Sequence, residues 1–300
     1  MKPTAVIDIG TNTFHLLIVE SKQQGFDESF RSRKYIKLGE HSPDFIGHES
    51  FQRGLTAIIE FSEICKIHGV GQIFALGTAM LRNAINSPAF ISAVYEATKI
   101  RIDVIDGKEE ARLIFQGATQ SGVLSGKHDL LVDIGGGSVE FIFSQNGHAE
   151  WMDSIDIGVA LLKHRFPLTE VLKSDKIYEL ENYLQFKLIN LNEQLTPYSQ
   201  MRLVGISGTF DVILDHFKKI KNTPNGELIV LNSNEVINFC NQIIPLSLSD
   251  KLLHPSIPES RADLISYALI LVRKILLQFT IQEIVISTYS IKEGKIADLV

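Results

Sequence analysis

The feature that most constrains this chain is a unit that occurs twice. Asp8-Ile9-Gly10 closes a short apolar run (AVIDIG), the polar turn Thr11-Asn12-Thr13 follows, and a second apolar run opens on an aromatic (FHLLIVE). The pattern returns 125 residues later as LLVDIGGGSVEFIF, with Asp133-Ile134-Gly135 in the place of Asp8-Ile9-Gly10. Each copy reads as strand, tight turn, strand. Duplication of such a unit predicts two lobes, each contributing one turn to a shared cleft.

The stretches around the copies alternate in period. Between them the pattern predicts a helix over 51–69, a strand over 72–76, a helix from Ser87, a strand near 101–105 and a helix from Lys108. After the second copy come a mainly helical stretch over 168–195, a strand over 201–206 and a helix opened by Gly208. A turn at Pro224-Asn225-Gly226, a long helix after Pro255 and Pro258 and a strand at IQEIVIST precede a polar tail. This is the order of an α/β fold.

Composition excludes several classes. With 45% hydrophobic and 21% charged residues in 300, the chain can bury a sizeable interior and is not disordered. Its 29 basic against 35 acidic side chains leave −6, so bulk charge recruits neither DNA or RNA nor an anionic membrane. The longest apolar stretch, Leu264 to Leu277, is cut by Arg273 and Lys274, and no signal-peptide core follows the N-terminus. A cytoplasmic protein is expected. Cys65 and Cys240, the two cysteines, lack zinc-cluster spacing and read as buried thiols. GxSxG, HExxH and GxGxxG are absent, and the glycines of Gly122 to Lys127 lie too close for a P-loop.

The chemistry therefore centres on the turns. Three consecutive glycines, Gly135, Gly136 and Gly137, followed by Ser138, let backbone N–H groups converge on an anion where a Cβ would obstruct. Gly10, Thr11, Asn12 and Thr13 offer the same with hydroxyls added; a ligand-free hairpin is the alternative. Ser207-Gly208-Thr209, at a strand-to-helix junction, is a third anion candidate, explained equally by capping. Asp8, Asp133 and Glu140 flank the turns and suit a Mg2+ ion, which takes few carboxylates plus phosphate oxygens; turn capping competes for the two aspartates.

Asp106 and Glu109 have capping-box spacing, which leaves Glu110 as the candidate general base at a helix start, against a solvated surface acid. Arg82, just after a strand, can fork onto phosphate oxygens or sit in an exposed ion pair. Arg261 and Asp263 read as a structural pair, with lining of the cleft as the alternative, Lys292 and Glu293 as loosely constrained tail residues, and His15 as a core histidine.

In order along the chain, DIGTNTFHLLIVE, LGTAMLRNA, IDGKEEARLIFQGA, VDIGGGSVEFIF, ESRADLI and SIKEGKIADL resemble the exopolyphosphatase and guanosine pentaphosphate phosphatase family. The resemblance runs from residue 5 to the tail. It implies the two ribonuclease-H-like lobes of the actin-like superfamily with an interlobe cleft, over 1–121 with 290–300 and over 122–289. It also implies a homodimer and release of terminal phosphate from polyphosphate or guanosine pentaphosphate, with a non-catalytic sensor of these compounds or an ATP-using member of the superfamily as alternatives. Two lobes closing on a ligand predict hinges near the crossing after Ser121 and before the tail. Carried across by position, the family's catalytic glutamate falls on Glu110. Its phosphate turns fall on Gly10 to Thr13 and Gly135 to Ser138, its motif arginine on Arg82 and its cleft acids on Asp133 and Glu140. The chain departs from the family at Ser207, where glycine is common, and at Lys292, where arginine is. The helical domain that longer members carry is not in the sequence, which implies a shorter channel for an extended polymer.

Overall fold

The computed structural model describes residues 2–22, 25–167, 174–198, 200–221 and 228–299. The chain forms two compact units. The first is Met1–Gln120 with Gly135–Gly137 and Tyr289–Val300; the second is Ser121–Ile134 with Ser138–Thr288.

The first unit opens with β1 (Thr4–Ile9), β2 (Thr13–Ser21) and β3 (Phe26–Tyr35), an antiparallel meander. Then come α1 (His48–Ile67), β4 (Gln72–Gly77), α2 (Ala79–Asn83), α3 (Ser87–Thr98), β5 (Ile102–Val104) and α4 (Gly107–Gln120). Its sheet runs β3-β2-β1-β4-β5, with β4 and β5 parallel to β1. Strand β1 is central, and Ala5, Val6, Ile7 and Ile9 are fully buried, as expected where both faces of a sheet are covered. Strand β3 is an edge: its charged sequence FDESFRSRKY leaves one side to solvent and discourages further pairing.

The second unit holds β6 (His128–Ile134), β7 (Val139–Gln145), β8 (His148–Ile155), α5 (Val159–Arg165), α6 (Ser174–Lys187) and α7 (Ile189–Leu195). It continues with β9 (Met201–Ile206), α8 (Gly208–Lys221), β10 (Leu231–Asn232), α9 (Ser233–Ile243), α10 (Leu248–Leu253), α11 (Ile265–Gln278) and β11 (Ile281–Ser287). Its sheet order is β10-β11-β9-β6-β7-β8. With β6, β7, β8, β9 and β11 in the places of β1 to β5, the two sheets share one order, and β10 is an added antiparallel edge. The duplication legible in the two Asp-Ile-Gly runs is thus a duplication of topology. Phe141, Phe210, Phe239 and Tyr267 fill the core of this unit; Phe14, Phe61 and Phe90 fill that of the first. Among the described residues no helix is long and apolar enough to cross a membrane.

Two sequence expectations need correction. The polar tail is a helix, α12 (Ile291–Ala297), opened by a capping box between Ser290 and Glu293. It returns to the first unit and crosses α4 so closely that a Cβ on Gly117 would fall 2.1 Å from the Ser290 carbonyl oxygen. Lys292 and Glu293 are therefore buried rather than loose. The turn at Pro224-Asn225-Gly226 and the first residues of the 168–195 stretch lie outside the described residues.

Burial drives the Glu293 carboxyl up, but Lys292, Arg31 (2.8 Å away) and the Ser290 amide together hold it below the usual carboxylate range. A depressed folded value stabilises the fold above the unfolded value and loses that contribution as pH falls through the folded one. Asp298, held down chiefly by its hydrogen bonds from Arg112, acts in the same direction. Acid unfolding monitored by circular dichroism should therefore steepen below about pH 4. Glu293→Gln should flatten that limb; an unchanged acid limb would remove Glu293 from the cause.

Candidate functional site

The first bend is built by the hairpin and fastened from behind. The Gly10 amide donates to the Thr13 carbonyl at 3.1 Å, closing the turn, and a Cβ on Gly10 would sit 2.9 Å from that oxygen. The Asn12 carbonyl accepts from the Ile36 and Lys37 amides, both at 2.9 Å, and the Thr11 carbonyl accepts from Gly39 at 3.4 Å. With these carbonyls tied to the segment after β3, the Thr11 and Asn12 amides have no acceptor among the described residues.

Gly135–Gly137 packs within the same unit. A Cβ on Gly136 would lie 2.6 Å from Asn12 Nδ2 and 2.8 Å from Thr11 Cβ, and one on Gly137 would lie 2.7 Å from Ala79 Cβ. None of the three glycines has a positive φ. Gly136 and Gly137 are glycines because Thr11, Asn12 and Ala79 occupy the space a side chain needs, a close-approach requirement more than a conformational one. The amides of all three glycines, too, have no acceptor among the described residues. Thr11 is the hub of this packing and is buried, with its Oγ1 against Gly137. Adjacent amides left unpaired in a fold form an anion-binding concavity, since orphaned N–H groups otherwise cost free energy.

Glu110 and Arg82 meet in the same unit. The Thr78 amide donates to the Ile9 carbonyl at 3.3 Å, joining the start of α2 to the end of β1. One turn on, Arg82 Nη1 donates to Glu110 Oε2 at 2.6 Å and to the Ile105 carbonyl at 3.0 Å. Both side chains are shielded, at 17% and 12% exposure, so Glu110 is no solvated surface acid and Arg82 no exposed one. Asp106 caps α4 by accepting from the Glu109 amide at 2.8 Å. The other half of the expected capping box is replaced: the Glu109 carboxylate takes a two-point fork from Arg112 at 2.7 and 2.8 Å. Arg112 also reaches Asp298 beyond α12, so the helix that carries Glu110 is pinned at its first turn.

Asp8 is half-buried at the end of β1 and pairs in register with His15. In the second unit the corresponding pair is Asp133 and Glu140, both buried, and Glu140 Oε1 accepts from Ser154 Oγ at 2.7 Å. Two carboxyls side by side on neighbouring strands suit a hard divalent cation. Among the described residues no three His, Cys, Asp or Glu side chains form a ready-made metal site. The Asp133–Glu140 pair is of the kind that suits Mg2+, which usually takes one or two carboxylates and completes its shell from water and phosphate.

At the β9–α8 junction Ser207 has φ +69°, and its carbonyl accepts from Phe210 and Asp211. The left-handed conformation explains why glycine is common there in the family resembled; serine bears a cost of about 1 kcal/mol. A Cβ on Gly208 would meet the Arg261 guanidinium at 1.6 Å, so a side chain there would displace the arginine tip. Asp263 binds Lys163 at 2.7 Å, and the Arg261 guanidinium packs against Gly208 at the start of α8. Thr209 is buried beside it, and Ser138 is buried at the start of β7. The approach of Arg261 to Gly208 has no local sign in the sequence, since 53 positions separate them.

The sequence model of the Ppx/GppA phosphatase family matches residues 17–300. The match starts after the first bend, whose assignment therefore leans on its own geometry. An exopolyphosphatase from Cytophaga hutchinsonii is similar in structure, with a TM-score of 0.94 and 30% identity over 99% of this chain and 98% of its own. The Aquifex aeolicus member of the Ppx/GppA family shares the fold at a TM-score of 0.81 and 18% identity, covering 99% of this chain and 97% of its own. A guanosine-5'-triphosphate,3'-diphosphate pyrophosphatase from Photobacterium profundum is 30% identical over 211 residues, 70% of this chain. The chain spans 42% of that relative's length.

Proposed function

Because this chain belongs to the Ppx/GppA phosphatase family, we propose that it is a phosphoanhydride hydrolase acting on inorganic polyphosphate or on the 5′-γ-phosphate of guanosine pentaphosphate. The observation that supports this reading most is the set of unpaired amides at Thr11, Asn12 and Gly135–Gly137, in the same unit as the shielded Glu110–Arg82 pair.

In this reading the amides and Arg82 take the negative charge of the transferred phosphoryl group. Glu110 accepts a proton from the attacking water; the new P–O bond forms as the bridging P–O bond breaks, and the shortened chain leaves with the electron pair. From the sequence, phosphate contacts are also assigned to Gly10 and Thr13 in the first unit, where the Gly10 amide closes the bend, and to Ser138, Gly208 and Thr209 in the second. Asp133 and Glu140, with Asp8 in the corresponding place on β1, are the carboxylates assigned to magnesium, which when bound neutralises phosphate charge. The lobes of this reading are 1–121 with 290–300, and 122–289. The family resemblance carries the expectation of a homodimer, and the sequence that of a cytoplasmic setting.

Phosphate release from polyphosphate and from guanosine pentaphosphate, with and without magnesium, tests the proposal. Release of orthophosphate that stops on chelation is expected. Binding of both compounds with no release would replace a hydrolase by a sensor.

A further inference from the structure

Arg53, on α1, belongs to none of the sets above. Its guanidinium forks onto the Ile36 carbonyl, Nε at 3.1 Å and Nη2 at 2.9 Å. The same Nη2 lies 2.6 Å from Glu40 Oε2 and 3.0 Å from Ser50 Oγ. The backbone that it holds is the segment that fastens the first bend, through Ile36 and Lys37 onto the Asn12 carbonyl and through Gly39 onto the Thr11 carbonyl. Lys37 has φ +53°, a conformation that a side-chain-bearing residue keeps where its surroundings impose it. Gly39 is wedged against Thr11, where a Cβ would come within 2.9 Å of Thr11 Cγ2.

We infer that Arg53 is a positioning residue for the anion-binding bend: it fixes residues 36–40, and they hold the Thr11 and Asn12 amides in the orientation that receives phosphate. The inference rests on the phosphate reading of that bend. A planar fork suits the role, because one cation reaches a carbonyl, a carboxylate and a hydroxyl together, which an ammonium on a flexible stem does less well. A bend that must be ordered by its ligand weakens ground state and transition state alike, so the expected signature is in KM and not in kcat.

Steady-state release from tripolyphosphate should show KM raised about tenfold in Arg53→Ala, about threefold in Arg53→Lys, with kcat within about twofold. Hydrogen exchange of the folded variants should quicken in peptides spanning 10–13 and 36–40 and nowhere else in the first unit. Glu40→Gln, which leaves the fork on Ile36 in place, should keep KM within about twofold. An unchanged KM together with unchanged exchange in Arg53→Lys overturns the inference, and that variant decides if Arg53→Ala does not fold. A wild-type protein that binds and cleaves neither tripolyphosphate nor guanosine pentaphosphate instead overturns the function proposed above.

Discussion

Glu110→Gln is expected to lower phosphate release by about 10²- to 10⁴-fold while leaving polyphosphate binding within a few-fold of the wild type. Glutamine keeps the size of the side chain and still offers Arg82 a carbonyl oxygen at the position where Oε2 now lies 2.6 Å from Nη1. What it removes is the ability to take a proton. The packing of α4 is untouched, because the helix is capped by Asp106 and pinned by Arg112 to Glu109 and Asp298, none of which the substitution alters. Turnover by phosphate release and affinity by calorimetry separate the two effects. Full turnover in the variant would take the base role from Glu110, and loss of binding equal to the loss of rate would make it a binding residue instead.

Gly294→Ala is expected to destabilise the first unit by about 3 kcal/mol or more, at the upper end for an overpacked core. A Cβ there would lie 1.8 Å from the Leu113 carbonyl oxygen and 2.7 Å from its carbon, backbone atoms of α4 that cannot swing aside as a side-chain tip can. Gly117, facing the same crossing, meets the Ser290 backbone in the same way, so the two helices must part. Because α4 carries Glu110 in its first turn, the variant should also lose turnover at temperatures where it is still folded. A melting temperature lowered by about 10 °C is the expected reading. A shift of less than about 2 °C would show that the crossing relaxes easily and that α12 does not hold α4.

Much of this was legible in the sequence where a local signal existed. The repeated Asp-Ile-Gly run predicted the matched hairpins, and the shared strand order of the two sheets is its consequence. Glu110 and Arg82 were both singled out, yet their direct contact was not, since 28 residues of helix, strand and loop separate them. Strand β3 went unread because an edge strand with one solvated face carries little apolar alternation. Helix α12 went unread although it opens on a capping box, Ser290 with Glu293, which the sequence displays. Burial of Lys292 and Glu293 had no local sign: it comes from the return of the C-terminal segment onto the first unit. The glycines of the second bend were explained by amide exposure alone, whereas contact with Thr11, Asn12 and Ala79 requires two of them.

A crystal of the Glu110→Gln variant grown with tripolyphosphate tests the central claim most directly. Phosphate oxygens within hydrogen-bond reach of the Thr11, Asn12 and Gly135–Gly137 amides are the predicted result. Tripolyphosphate bound elsewhere, with those amides still bare or turned onto protein carbonyls, would contradict it.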